Sequence, residues 1–296
     1  MISRAVRRGV VALTAATLLT GCAGSPEASS APSSPSSPSS SPSSPSSSSS
    51  SSRTSPGTPA ADPATPSPPP PPATPAPVVV LDPGHNGGNA AAPGEINRHV
   101  PAGGFTKPCN TTGTSTNAGY PEHAFTFDVA QRAAALLRAG GVTVLLTRSD
   151  DAGVGPCVDQ RAAIANDAGA ALAVSVHADG AAASARGFHV IEPALAPDGG
   201  NAAVLAPSAA AAGALITAFA AATGEPPASY PGALVAPGLT QRDDLAGLNL
   251  ARVPAVFIEC ANMRNATDAA AVSDEAWRQR AAQGIADGVL AFLAGR

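Results

Sequence analysis

Two histidines and two glutamates in this chain have the types and settings needed to hold a metal ion and move a proton. His85 directly follows one apolar run, His177 closes a second and Glu259 a third, while Glu122 opens a long helical stretch. Two neutral imidazoles and one carboxylate are the usual ligand set of a catalytic zinc, and three protein ligands leave the fourth tetrahedral position to water. Zinc lowers the pKa of such a water from about 15.7 to about 7. A second carboxylate is then needed as proton shuttle. Each residue alone has a plainer explanation. A histidine at a strand end is commonly a loop or core residue, and a glutamate in a first helical turn complements the helix dipole. Glu259 after Val256-Phe257-Ile258 is harder to dismiss, because an acid closing so apolar a run needs a partner or a purpose.

The elements that must position these residues alternate in kind. Val78 to Leu81 reads as a buried strand stopped by Asp82-Pro83-Gly84, and Pro121 to Ala139 as a helix with apolar residues at helical spacing. Val142 to Thr147, Leu172 to Val176, Gly187 to Ile191 and Val256 to Ile258 read as further strands. Helices are expected over Val158 to Ala168, from an N-cap at Ser208 to Ala222, and over Ser273 to Leu293. The pattern predicts an α/β fold, a mainly parallel central sheet with helices on both faces. Such sheets bind ligands at the carboxyl ends of their strands, where His85, His177 and Glu259 fall.

The segment from Val78 to Arg296 resembles the zinc-dependent N-acetylmuramoyl-L-alanine amidases of the AmiC/CwlV-like type, in particular their compact actinobacterial members. The likeness rests on Asp82-Pro83-Gly84-His85, Glu122 at the head of a long helix, Thr147-Arg148, Arg161 to Asn166, Ser175-Val176-His177-Ala178, and Glu259 with Asn265, in that order. It implies His85, Glu122 and His177 as zinc ligands and Glu259 as catalytic residue, hydrolysing the amide between N-acetylmuramic acid and L-Ala of the stem peptide. His123 competes with Glu122 for the ligand role, but it points about 100° away around the helix. The chain departs from the family at Asn86, in the long stretch Gly87 to Tyr120, expected as a loop over the cleft, and at Cys260-Ala261-Asn262. Other readings are a non-catalytic lipid-anchored wall-binding protein and a zinc peptidase cutting within the stem peptide.

The 296 residues carry 17 basic and 21 acidic side chains, a net charge of −4, with a single lysine; this argues against nucleic-acid binding. Residues 1–22 read as a signal peptide whose Leu19-Thr20-Gly21-Cys22 resembles a lipobox. Residues 23–76 are almost wholly Ser, Pro, Ala and Thr, which predicts a disordered linker of roughly 40 to 160 Å reach. Residues 77–296 form the expected catalytic domain. The protein is thus expected in the cell envelope, held to the membrane through lipidated Cys22, as a monomer acting on peptidoglycan or muramyl peptides. Cys109 and Cys157 lie in polar loops beside Pro and are expected to form a disulfide in an oxidising compartment, whereas Cys260 adjoins an apolar strand and is expected as a buried thiol. His99 and His189 are expected to be structural or exposed; Arg148, Asp179 and Asn265 orient ligands or satisfy turns.

Overall fold

A computed structural model describes residues 75–296 apart from residue 233. The expected signal segment and all but the last two linker residues lie outside the described residues. The chain runs β1 (Val78–Pro83), α1 (Pro93–Ile96), β2 (His99–Pro101), β3 (Thr106–Pro108), α2 (Glu122–Ala139), β4 (Thr143–Leu146), α3 (Val158–Asp167) and β5 (Leu172–Asp179). It continues through β6 (His189–Pro193), α4 (Leu205–Thr223), β7 (Leu234–Ala236), β8 (Leu239–Arg242), α5 (Ala246–Asn249), β9 (Ala255–Asn262), α6 (Ala266–Ser273) and α7 (Glu275–Ala294).

Seven strands form one sheet in the order β4-β1-β5-β9-β6-β8-β7. The first four are mutually parallel. β6 turns antiparallel to β9 and parallel to β8, and β7 closes the far edge antiparallel. The sheet is therefore mainly parallel, as the alternating pattern predicts. Alternate residues of its central strands, Val79, Leu81, Val174, Val176, Val256 and Ile258, are buried with Phe125, Val129 and Leu137 of α2 and with Leu215, Phe219, Ile285 and Val289 of α4 and α7. The other face carries only the short α3 and α5, with two small apolar clusters around Val80 and Ala165 and around Ile191 and Leu248. That lighter cover leaves room for a site.

Several boundaries differ from the sequence reading for identifiable reasons. β5 and β9 do not stop at His177 and Glu259; the ladder pairs those two residues and continues to Asp179 and Asn262. β2, β3 and β8 give no strand signal because they are three or four residues long and lack an apolar run, and β7, although apolar, is only three residues long. Ser208 does not cap α4. The helix begins at Leu205, since Pro207 in its first turn forfeits no hydrogen bond there. Ser208 is buried instead, and its hydroxyl accepts the Ala255 N–H at 3.0 Å. The last helix, expected from Ser273, begins at Glu275, because Asp274 caps it and its carboxylate accepts the Trp277 N–H.

The stretch 87–120 is a structured insertion rather than a plain loop. It contains α1 and the β2–β3 hairpin, and a Cys109–Cys157 disulfide ties it to the start of α3. Cys260 is a buried free thiol.

A buried ion pair locks β1 to α3. Arg161 Nη1 donates to Asp82 Oδ1 at 2.6 Å, while Ser175 and Thr147 hydroxyls donate to the same carboxylate, each at 2.6 Å. Burial alone would raise the Asp82 pKa; the Arg161 charge and these donors overcome it and hold the value at about 2. A depressed folded-state pKa gives stability that is fully present above the unfolded value, about 3.9, and is lost as pH falls through the folded one. Acid titration of unfolding free energy should therefore show a loss of about 2 kcal/mol between about pH 4 and pH 2. Asp82→Asn should remove that component and destabilise the protein at neutral pH, because Arg161 is left buried without its counter-charge. An unchanged acid limb in the variant would refute the assignment.

Candidate metal centre

Adjacency of β1, β5 and β9 brings three carboxyl-terminal segments together, and the amino end of α2 arrives above them. His85 follows β1 with φ +60°, a left-handed conformation unusual for a residue with a side chain. Two arginines hold the turn in place. Arg161 Nη2 donates to the His85 carbonyl at 2.8 Å. Arg148 donates to the carbonyls of Pro83 and His123, at 3.0 and 2.8 Å. Burial lowers the Arg148 pKa to about 10, which keeps it charged at neutral pH. Gly84 is required between them, because a Cβ there would fall inside the His177 ring.

Glu122 stands at the centre. Its Oε1 lies 3.2 Å from His85 Nε2 and 3.0 Å from His177 Nδ1. Its two oxygens also accept backbone N–H groups, Oε2 from Thr114 at 2.9 Å and Oε1 from Ala178 at 3.2 Å. Burial would push this carboxyl up, but the two imidazoles and their hydrogen bonds hold it well below the ordinary range, so it stays ionised. One ligand atom from each of His85, Glu122 and His177 lies within 4.8 Å of the others. His85 Nδ1 faces the Thr111 carbonyl at 3.0 Å, which makes that nitrogen a donor and turns Nε2 toward Glu122 as the nitrogen available to a metal; burial would lower the His85 pKa, but the Glu122 charge and hydrogen bond raise it. Phe257 stacks on the His177 ring, with centroids 5.3 Å apart and planes 10° from parallel. This donor set, one ionised oxygen and two imidazole nitrogens converging on a point, fits a zinc ion.

Glu259 pairs with His177 across the β5–β9 ladder, so both side chains leave the same face. Its Oε2 is buried and has no hydrogen-bond partner among the described residues. Burial, reinforced by the negative charges of Glu122 and Asp179 and opposed by Arg242, raises its pKa well above the ordinary carboxylate value. The two glutamates are thus driven apart, one ionised among imidazoles and the other ready to hold a proton.

The remaining candidates sort clearly. His123 bonds Asp151 at 2.7 Å, away from the cluster. His99 sits in the hairpin, facing Thr106 Oγ1. His189 is buried opposite Glu259 and faces Asp179 at 3.4 Å. Asn265 caps α6 and donates to Ala183. Asn86 accepts the Gly87 N–H and lies outside the lining of the cavity beside the cluster. Sequence reasoning missed Thr111 to Thr114 of the insertion and the Phe257 stack. Gly113 was the available signal: at φ +75°, a Cβ there would press on Glu122 and His85.

Comparison with known proteins accords with this geometry. Residues 79–291 match the family model described as N-acetylmuramoyl-L-alanine amidase, and the chain belongs to that family. It is 46% identical over 220 residues to the N-acetylmuramoyl-L-alanine amidase Rv3717 of Mycobacterium tuberculosis, covering 73% of this chain and 86% of the relative. The crystal structure of the amidase Ami1 from Mycobacterium smegmatis superposes with a TM-score of 0.69 at 43% identity, over 76% of this chain and all of that one. Ami1 from Mycobacterium abscessus gives 0.67 at 42% identity, over 73% and 98%.

The Phe257 stack should matter to metal retention. Phe257→Ala should lower Zn²⁺ affinity roughly tenfold in competition with a chromophoric chelator, as loss of a group orienting a ligand does. Unchanged affinity would show that His177 is held by its other contacts alone.

Proposed function

We propose that this enzyme hydrolyses the amide joining the lactyl group of N-acetylmuramic acid to L-Ala of the stem peptide, with His85, Glu122 and His177 holding a zinc ion and Glu259 as the catalytic residue. The convergence of the three ligand atoms within 4.8 Å, in a chain of this family, carries the reading. Bound there, zinc supplies a Lewis acid that polarises the scissile carbonyl and acidifies water.

The chain's own groups supply the proton traffic. Glu259 Oε2, without a partner among the described residues, takes a proton from the attacking water and returns it to the departing L-Ala nitrogen as the C–N bond breaks. Glu122 stays ionised beside two imidazoles, and the Thr111 carbonyl keeps His85 in the ligating tautomer. All four side chains come from one chain, which supports action as a monomer. Leu19-Thr20-Gly21-Cys22 supports export and lipid attachment at Cys22, with residues 23–76 as linker between membrane and the 77–296 catalytic domain.

Incubation of the full chain with a muramyl peptide, followed by mass identification of products, tests this directly. Free stem peptide should appear and should vanish with chelator. Glu259→Ala should retain one zinc per chain while turnover drops by at least about 10²-fold; His177→Ala should lose both. Cleavage inside the peptide, or metal loss in Glu259→Ala rather than His177→Ala, would overturn the assignment.

A further inference from the structure

A cavity of about 410 Å³ opens beside the metal centre and extends over the lightly covered face of the sheet. Glu122 and Asp179 make one part of its lining negative. Three side chains from Lys and Arg residues also line it: Lys107, Arg161 and Arg242. They differ in what they have left to offer. Arg161 is almost fully engaged, using four of its five N–H groups, with Nε on the Pro156 carbonyl, Nη1 on Asp82 and the Pro83 carbonyl, and Nη2 on the His85 carbonyl.

Arg242 and Lys107 are held but not saturated. Arg242 Nε and Nη2 grip the Asp244 carboxylate, each at 2.7 Å, and among the described residues its Nη1 donates to nothing. Lys107 Nζ gives one of its three hydrogens to the Asp244 carbonyl at 2.6 Å. Asp244 thus gathers two cations from β8 and β3 and leaves donors from both unused. This arrangement is pre-positioned for an anion, and a guanidinium with a neighbouring ammonium favours a carboxylate.

Resting on the amidase reading, the chemistry of the leaving peptide indicates which carboxylate. Its second residue is a D-glutamate joined onward through its side-chain carboxyl, so the α-carboxylate is either free or amidated. An extended peptide places that residue about 7 Å from the amide that is cut. β8 is separated from β9 by β6 alone, about 10 Å across the sheet, and the register sets Arg242 four residues along from the position opposite Glu259, so the two backbones lie about 16 Å apart, a gap shared by the two side chains and the extended peptide. The register of β6 with both neighbours sets Arg242 and Glu259 on the same face. We propose that Arg242, assisted by Lys107, binds the free α-carboxylate of the second stem residue and makes the enzyme discriminate between acidic and amidated stem peptides.

Two measurements on the full chain test this. Muramyl peptides that differ only in carrying D-isoglutamate or D-isoglutamine should show kcat/KM roughly tenfold higher for the acid. Arg242→Gln should lower kcat/KM on the acid far more than on the amidated substrate and so abolish the preference, and Lys107→Gln should reduce it partially. Equal loss on both substrates in both variants, or a preference that survives Arg242→Gln, would overturn the proposal. Calorimetric binding of the dipeptides L-Ala-D-isoglutamate and L-Ala-D-isoglutamine, before and after Arg242→Gln, reads the subsite without turnover. If the enzyme cuts neither muramyl peptide yet binds the acid through Arg242, the amidase reading fails and the subsite stands. Equal binding of the two dipeptides would remove the subsite whatever the activity.

Discussion

A carboxylate removed from water is costly unless opposite charge or hydrogen-bond donors meet it, and the structure is arranged around meeting that demand at Glu122. Its oxygens accept two backbone N–H groups, from Thr114 in the insertion and Ala178 at the end of β5, and one of them touches both imidazoles. Four separate stretches of chain must therefore reach one point. The His85 turn is held by Arg148 and Arg161, and Arg161 is itself anchored on Asp82. The disulfide pins the insertion that supplies the Thr111 carbonyl and the Thr114 N–H to the first turn of α3, the helix bearing Arg161.

Sheet order turns this local demand into a fold. β1, β5 and β9 are far apart in sequence but adjacent and parallel, so the residues at their carboxyl ends share one rim. Heavy apolar cover by α2, α4 and α7 lies on one face only. The thin cover opposite leaves a cavity beside the metal centre, and the β8 side of that cavity carries cations with unused donors. Two carboxylates a short distance apart then behave differently because their surroundings differ: Glu122 is stabilised as an anion, and Glu259 is not.

The parts legible in the sequence were those with a periodic or compositional signature. Val78 to Leu81, Leu172 to Val176 and Val256 to Ile258 are apolar enough to declare buried strands, and the residues that follow them, His85, His177 and Glu259, declare the site. The disulfide followed from the polar settings of Cys109 and Cys157 against the apolar setting of Cys260. The rest lacked such a signature. β8 carries Arg242 in a four-residue strand with no apolar run, so its place beside the site depends on pairing with β6. Ser208 looks like a cap from its type alone, and only the approach of Ala255 shows why it is buried inside the first turn. Thr111 and Thr114 act through backbone groups, which any residue type supplies, so side-chain identity could not reveal them.

The coordination of zinc by the intact chain tests the central claim most directly, and X-ray absorption at the zinc edge reads it. The account predicts one ion per chain bound by two imidazole nitrogens at about 2.0–2.1 Å and a carboxylate oxygen at about 2.0–2.2 Å, with the carboxylate contribution lost in Glu122→Gln. A sulfur ligand at about 2.3 Å, or a spectrum unchanged by that substitution, would contradict it.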